Sequence, residues 1–232
     1  MNSNYKPQII EDIVPESNKL FITFGGLWGE IVMPPFEFYK SLKIVHENKI
    51  FIRDITRSWY QCGLPGLADN IFDLGKLINN KIMEIDPEEV FYFGNSMGGF
   101  AAIFFAAYLR RGKAIAFSPQ TFISLSKRLK NKDLRWQRHV FDTYKKSFFK
   151  KHIYDLEKIF DENNKDFSVE IFVAKNDRLD VIHANYLKKF KNVRINQYDI
   201  TPPNGEGSHC LVYFLRNQGI LENIIKKQVK RE

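Results

Sequence analysis

The sequence predicts an α/β protein built on a mostly parallel sheet that is flanked by helices. Short apolar runs of strand length alternate with longer segments in which apolar residues recur at helical spacing. One strand-to-helix junction carries the pattern Gly-x-Ser-x-Gly. The 232 residues, 44% of them hydrophobic, suffice for a full core within one domain. We therefore expect a single domain over residues 1–232 with one functional site.

The strands are predicted from apolar runs that are bounded by turn-forming residues. Buried parallel strands have this character because helices cover both faces of their sheet. In chain order the predicted strands are residues 19–24, 49–55, 90–93, 114–117, 169–174 and 193–198.

Two segments between these strands have clear helical patterns. Residues 67–83 repeat apolar side chains at helical spacing and predict an amphipathic helix. Residues 100–109 are apolar all round, which predicts a buried helix.

The net charge of +8 comes from one segment, residues 121–151, which holds ten basic and two acidic residues. The segment interrupts the alternation of strands and helices, so we expect a helical, lid-type insertion that covers one end of the sheet. Its charge suits an anionic glycan or the phosphates of coenzyme A, and a solvated basic helix face is the alternative. No nucleic-acid-binding motif accompanies it, so nucleic acid is not an expected partner.

No apolar stretch has the length of a membrane span, and the N-terminus has no secretory pattern, so the expected location is the cytoplasm. The two cysteines, Cys62 and Cys210, have no metal-ligand spacing. We expect neither a disulfide framework nor a metal site.

The strongest motif follows the predicted strand 90–93 and reads Gly94-Asn-Ser96-Met97-Gly-Gly. A serine between a strand and a helix, with glycines on both sides, is typical of a nucleophile held in a strained turn. Ser96 is therefore the candidate nucleophile. The helix that follows offers unpaired N–H groups to a developing oxyanion, and the N–H of Met97 is the first candidate donor.

A serine nucleophile needs a base, and His209 is the candidate. It lies in a glycine-rich loop after the last predicted strand, where the chain order Ser, Asp, His would place it. His183 is expected to be a partly buried helix residue. His139 and His152 do not fit the order, although the basic segment could bring them to a substrate.

The acid that orients the base is predicted to be Asp177, which follows the strand 169–174 at the carboxyl edge of the sheet. Asp180 is the alternative, and either residue could instead cap a helix. A second oxyanion donor is expected from the glycine turn after the first strand. Gly26 is the first choice, and Leu27 is the next.

With these residues placed, the sequence resembles the α/β-hydrolase superfamily over residues 19–221. The matching motifs are FGG, GNSMGG, KNDRLD and GSH. The sequence has Phe24 where a histidine often precedes the oxyanion glycine. A narrower resemblance comes from Ser118-Pro119-Gln120, which is similar to a segment of hydrolase-fold proteins of bacterial surface polysaccharides, including capsule O-acetyltransferases.

This narrower resemblance implies acetyl transfer from acetyl-coenzyme A to a glycan hydroxyl through an acyl-serine, with no bound cofactor. The expected partners are a small acyl donor and an anionic carbohydrate acceptor. Hydrolysis by a carboxylesterase or deacetylase is the alternative. The remaining hypotheses are a peptidase, a thioesterase and a non-catalytic scaffold. The candidate substrate-binding residues are Leu27, Gln120, Arg128, Arg135 and Trp136.

Overall fold

The computed structural model describes residues 7–27, 36–161, 166–200 and 211–229. In these ranges a seven-stranded sheet with the strand order β1-β3-β2-β4-β5-β6-β7 is flanked by helices. Strand β1 pairs with β3 in the antiparallel direction, and the other neighbouring strands pair in parallel. The predicted fold class is confirmed.

The strands are β1 (Ile9–Asp12), β2 (Lys19–Phe24), β3 (Asn48–Ile52), β4 (Glu89–Asn95), β5 (Gly112–Phe117), β6 (Phe167–Ala174) and β7 (Val193–Tyr198). The helices are α1 (Ile71–Ile85), α2 (Met97–Leu109), α3 (Leu125–Asn131), α4 (Gln137–Ser147), α5 (Arg178–Asn185), α6 (Leu211–Asn217) and α7 (Ile220–Val229).

The sheet separates two apolar cores because successive side chains of a strand point to opposite faces. From β2, Ile22 packs into the core that contains α1 and α2, whereas Phe21 packs into the core that contains α6 and α7. Both faces of the central strands are therefore covered, which explains why those strands read as continuous apolar runs.

Helix α2 lies in the first core, and its residues Met97 to Ala107 are all buried, as its apolar sequence predicts. Helix α1 starts later than predicted. The Asn70 side chain accepts hydrogen bonds from the N–H groups of Phe72 and Asp73, which caps the helix there. Leu67 lies before this cap in a turn and is exposed.

The antiparallel edge strand β1 was not predicted. It has four residues, and two of them, Glu11 and Asp12, are exposed. Its pairing with β3 gives it strand structure that its own sequence does not signal.

The basic segment 121–151 follows β5 and contains α3 and α4. Its role as a lid stays a prediction, as do the domain bounds. Among the described residues, no helix combines the length and the apolar character needed to cross a bilayer.

Candidate active site

The carboxyl ends of four neighbouring parallel strands, β2, β4, β5 and β6, meet at one edge of the sheet. In the register of the sheet, Phe24 pairs with Gly94, and Asn95 pairs with Phe117. The segments that follow these strands carry Gly26, Ser96, Gln120 and Asp177. The topology therefore gathers at one edge the candidates that the sequence distributes over 150 residues, as open α/β sheets do.

Ser96 is a strained residue at the junction of β4 and α2. Its φ of 55° lies in the left-handed region, which non-glycine residues rarely adopt. Its N–H donates to the carbonyl of Phe117 at 2.9 Å, and its carbonyl accepts from the N–H of Phe100 at 3.1 Å. Such a conformation costs about 1–3 kcal/mol and persists where surrounding contacts enforce it. The backbone of Ser96 is held in this way from both sides.

The neighbouring glycines are required because strand and helix pass very close to each other. A Cβ on Gly94 would lie 2.0 Å from the carbonyl oxygen of Gly98. A Cβ on Gly98 would lie 2.1 Å from the carbonyl oxygen of Phe24, at the end of β2. The predicted reason for these glycines, close approach around the serine, is confirmed at both positions.

Met97 is the first residue of α2 and is fully buried. The first N–H groups of a helix have no acceptor within the helix, and they carry the positive end of its dipole. The N–H of Met97 therefore lies directly after Ser96 with the polarity that an oxyanion requires. Its role as the first donor stays a prediction.

Gly26 lies beside the elbow, since a Cβ on it would be 3.2 Å from the carbonyl oxygen of Asn95. In the structure the Gly26 N–H donates to Glu37 Oε2 at 2.7 Å. The second predicted oxyanion donor is thus in position but bonded to a carboxylate. Leu27, the alternative, is buried in the first core, and the donor role of both residues stays a prediction.

The glycine turn is fixed by Tyr60, which sequence analysis did not identify. Its hydroxyl donates to the carbonyls of Gly25 at 3.0 Å and Ile52 at 3.3 Å. Burial, followed by the charges of Asp54 and Glu37, raises the pKa of Tyr60 well above its ordinary value, so the hydroxyl stays protonated. Tyr60 is therefore a permanent donor that holds the turn beside Ser96.

The loop after β3 is organised by Asp54. Its Oδ2 accepts from the N–H groups of Ser58 at 2.7 Å and Tyr60 at 2.8 Å. Within this loop Arg57, Trp59 and Tyr60 all have positive φ angles. The position of this segment, directly after a parallel strand at the carboxyl edge, was the signal that could have identified it.

Asp177 is the N-cap of α5, and its side chain accepts from the N–H of Asp180 at 2.9 Å. Its Oδ1 also lies 3.8 Å from Nη1 of Arg135. The alternative acid, Asp180, is fully buried and accepts from Arg135 Nη1 at 2.7 Å. Asp177 is the more accessible of the two carboxylates, and its role as the catalytic acid stays a prediction.

The predicted base, His209, and the second cysteine, Cys210, lie outside the described residues. The first cysteine, Cys62, is buried as a free thiol. The ring of His152 stacks on Tyr154, and His139 lies on α4.

His183 is completely buried rather than partly buried. Its Nδ1 accepts from the N–H of Thr121 at 3.1 Å, and its Nε2 lies 3.0 Å from Asp133 Oδ2. Because Nδ1 is an acceptor, the proton of the neutral ring is on Nε2, which donates to Asp133. Burial lowers the pKa of His183, so the ring is neutral at pH 7. Its partners are structural groups of α5 and the basic segment.

Gln120 follows β5 and is almost fully buried beside the elbow. Its N–H donates to the carbonyl of Ser96 at 3.4 Å, and its Oε1 accepts from the indole N–H of Trp59 at 2.9 Å. Within the described part of the chain, its Nε2 has no hydrogen-bond partner. A buried amide donor without a partner is unusual and is suited to a ligand or a water molecule.

Two arginines proposed for substrate binding have internal partners. Arg135 pairs with Asp133 at 3.2 Å and Asp180 at 2.7 Å. Arg128 is buried and donates to the carbonyl of Arg135 at 2.6 Å. Trp136 is half-buried, packs on the first core and precedes α4. Substrate contacts of these residues stay predictions.

No protein-family model matches the chain, and no curated protein matches its sequence. Solved structures do match. The capsule O-acetyltransferase of Neisseria meningitidis serogroup A has a TM-score of 0.61 at 15% identity, over 92% of this chain and 90% of that one. A histidine-to-alanine variant of that enzyme is known in complex with CoA.

Two further structures are similar. FphF, a fluorophosphonate-binding serine hydrolase of Staphylococcus aureus, has a TM-score of 0.60 at 18% identity, over 99% of this chain and 88% of that one. The Gap123 complex, a glycosylation-associated protein of Streptococcus agalactiae, has a TM-score of 0.56 at 15% identity, over 90% of this chain and 43% of that one. This chain has the α/β-hydrolase fold that the sequence resemblance predicts. Of the three neighbours, the capsule O-acetyltransferase and FphF are enzymes.

Proposed function

We propose that this protein is a serine-dependent acyl-transfer enzyme that moves an acetyl group from acetyl-coenzyme A to a hydroxyl of a bacterial surface glycan. The observation that carries the proposal is Ser96, strained at the start of a buried helix and held from both sides by backbone hydrogen bonds. A serine that only caps a helix does not need this conformation. The similarity to the capsule O-acetyltransferase supports the choice of reaction.

In the proposed reaction Ser96 Oγ attacks the thioester carbonyl while His209 takes the hydroxyl proton. Asp177 orients the histidine and stabilises its charged form. The N–H groups of Met97 and of Gly26 or Leu27 bind the oxyanion. The carbon–sulfur bond then breaks, the proton passes from the histidine to the coenzyme A sulfur, and an acetyl-serine remains. A glycan hydroxyl then attacks the acetyl carbonyl while the histidine takes its proton, the bond between the acetyl carbon and Ser96 Oγ breaks, and the proton passes from the histidine to Oγ.

Use of the Gly26 donor requires one change, because its N–H is bonded to Glu37 in the structure. The carboxylate must turn away before a carbonyl oxygen takes this donor. In the same site, the unpartnered Nε2 of Gln120 supplies a hydrogen bond to the bound substrate. Trp59 fixes the orientation of this amide through its Oε1.

The alternative is hydrolysis, in which water takes the place of the glycan hydroxyl. The similarity to a serine hydrolase over 99% of the chain favours this candidate. The same nucleophile, base and oxyanion donors serve both reactions. The difference lies in how far the site excludes water and positions an alcohol.

The test is acylation of Ser96 by acetyl-coenzyme A, followed by mass spectrometry of the active-site peptide. We expect acetyl-Ser96 in the wild type, and loss of turnover by about a thousandfold or more in Ser96→Ala. Ser118→Ala is the matched control, because Ser118 is also a buried serine with positive φ at the end of a neighbouring strand. The Ser118→Ala variant should still be acetylated at Ser96.

The fate of the acetyl group then separates the candidate functions. Serine-dependent acetate on an anionic bacterial polysaccharide supports transfer, whereas free acetate alone, over varied acceptors, supports hydrolysis. Absence of labelling by acetyl-coenzyme A, neutral esters and a fluorophosphonate would contradict catalysis. A non-catalytic partner subunit would then be the better description.

A further inference from the structure

Seven of the ten basic residues of the segment 121–151 fall into two groups by their partners. In the first group, Lys127 pairs with Asp155 and Glu157, and Arg135 pairs with Asp133 and Asp180. These cations are neutralised within the protein. The second group begins with α4 and has no ion pair to a carboxylate among the described residues; it consists of Arg138, Lys145, Lys146, Lys150 and Lys151.

Members of the second group lie against the loop after β3. Lys146 Nζ donates to the carbonyl of Thr56 at 3.1 Å, and Lys150 Nζ donates to the carbonyl of Asp69 at 2.8 Å. A carbonyl orients an ammonium group but does not cancel its charge. These contacts therefore fix α4 beside the loop and leave the positive charge in place.

Between α4 and this loop is an open cleft of about 540 Å³. The charged residues that line it are Arg57, Arg138, Asp142 and Lys146, together with His139. Three of these side chains are permanent cations, and one is an anion. Burial and the charge of Arg57 lower the pKa of His139, so this ring is neutral at pH 7, and the two cations of α4, Arg138 and Lys146, outnumber Asp142 without any contribution from Arg57.

The cleft is connected to the elbow by a short series of contacts. Arg57 is two residues before Trp59, whose indole N–H donates to Gln120 at 2.9 Å. The N–H of Gln120 donates to the carbonyl of Ser96. The loop that lines one side of the cleft is therefore connected to the nucleophile through Trp59 and Gln120.

We infer that the cleft formed by Arg57, Arg138 and Lys146 binds phosphate groups of a coenzyme A acyl donor. This inference rests on the proposed function, and it specifies how that site holds its donor. Arginine guanidinium groups match phosphate oxygens in two-point hydrogen bonds, and a lysine adds a point charge. The flexible pantetheine arm separates the phosphates of the donor from its thioester, so the phosphates and the acetyl group can occupy different parts of the site.

Equilibrium binding of coenzyme A itself tests the inference without any need for catalysis. Titrations of the full chain would compare coenzyme A, 3′-dephospho-coenzyme A and pantetheine. We expect coenzyme A to bind more tightly than pantetheine. Arg138→Gln and Lys146→Gln should each weaken coenzyme A binding by about tenfold and leave pantetheine binding unchanged. Lys130→Gln removes one charge from an exposed position of α3 and should bind as the wild type does.

Three outcomes would overturn the inference. These are absence of coenzyme A binding, equal affinity for coenzyme A and pantetheine, and equal affinity of wild type and cleft variants. A phosphate-bearing polysaccharide is titrated in parallel as the other source of phosphate. If the cleft substitutions weaken its binding and not that of coenzyme A, the cleft belongs to the acceptor and the inference is wrong.

Failure of the proposed function is detected separately. Acetyl-pantetheine has no phosphate, so acylation of Ser96 by this donor reports the nucleophile without the cleft. Phosphate-dependent coenzyme A binding with no acylation from either donor would support the phosphate-binding role of the cleft and contradict the proposed acyl transfer. Acylation from both donors, with unchanged coenzyme A binding in the cleft variants, would support the proposed acyl transfer and overturn the phosphate-binding role of the cleft.

Discussion

The elbow around Ser96 and the basic segment 121–151 are both expected from the sequence to serve function, but they are held in place by different forces. At the elbow, positions are fixed by backbone hydrogen bonds and by glycines in close contact with carbonyl groups. The first part of the basic segment is instead held by a buried network in which Asp133 and Arg135 contact Asp180 and His183 of α5. The comparison shows that part of a basic stretch of sequence can be internal structure while the rest keeps its charge.

The largest effect is expected from steric change at the elbow. Gly98→Ala places a Cβ 2.1 Å from the carbonyl oxygen of Phe24, so strand and helix must separate. We expect the free energy of unfolding to fall by about 3 kcal/mol or more, together with loss of Ser96 acylation. Gly25→Ala is the control, because its Cβ would lie no closer than 3.6 Å to a neighbouring atom. Chemical denaturation measures the free energy of unfolding of both variants, and equal stabilities would refute the close-contact argument.

The next effect separates the two groups of cations. Arg135→Gln removes the nearest guanidinium group from the buried carboxylates of Asp133 and Asp180, and the side chain of Arg135 is 20% exposed. We expect a loss of about 2–3 kcal/mol in the free energy of unfolding. Arg138→Gln, in the cleft, should change it by about 0.5 kcal/mol or less. If Arg138→Gln proves as destabilising as Arg135→Gln, the division of the basic segment is wrong.

The carboxylate of Glu37 is a charged group that contacts the glycine turn beside the elbow. Its carboxylate accepts from the Gly26 N–H at 2.7 Å and competes with the oxyanion for that donor. We expect Glu37→Gln to raise the rate of Ser96 acylation by a neutral ester about fivefold, because an amide is a weaker competing acceptor. Glu84→Gln, an exposed substitution on α1, should not change the rate. An unchanged or slower rate in Glu37→Gln would exclude competition at this donor.

The smallest effect is a gradual dependence of stability on pH. His183 faces Asp133, Arg135 and Asp180, and burial lowers its pKa below that of an unfolded histidine, about 6.5. As the pH falls below this value the unfolded chain binds the proton first, so the free energy of unfolding decreases. His183→Gln should remove this decrease, whereas His152→Gln, at an exposed position, should keep it.

Asp133 acts in a lower pH range. Burial alone would raise the pKa of Asp133, but hydrogen bonds from His183 and Arg135 bring it well below its ordinary value. The ionised carboxylate of Asp133 therefore stabilises the fold fully above the pKa of an unfolded aspartate, about 3.9, and this stabilisation is lost as the pH falls further. Hydrogen exchange should locate both losses in α3 to α5. Faster exchange at the elbow over the same pH range would contradict the comparison.

The agreement between sequence and structure is best where local pattern and burial coincide. Strands β2 and β7 have the predicted bounds, and α2 is buried on all sides. Strand β1 was missed because an edge strand is half exposed and takes its structure from its partner. Helix α1 begins after the predicted start because the side chain of Asn70 caps it there, whereas the apolar spacing alone extends further towards the N-terminus.

For the site, the sequence by itself determined the elbow. A strand, a serine between glycines and a buried helix are consecutive in the chain, so local sterics specify their geometry. The tertiary structure alone decided which cations are neutralised, that Glu37 reaches Gly26, and that Trp59 orients Gln120. The physical reason is that these contacts join residues from different strands and loops. Their partners are chosen by the order of the strands in the sheet, which spacing along the chain does not encode.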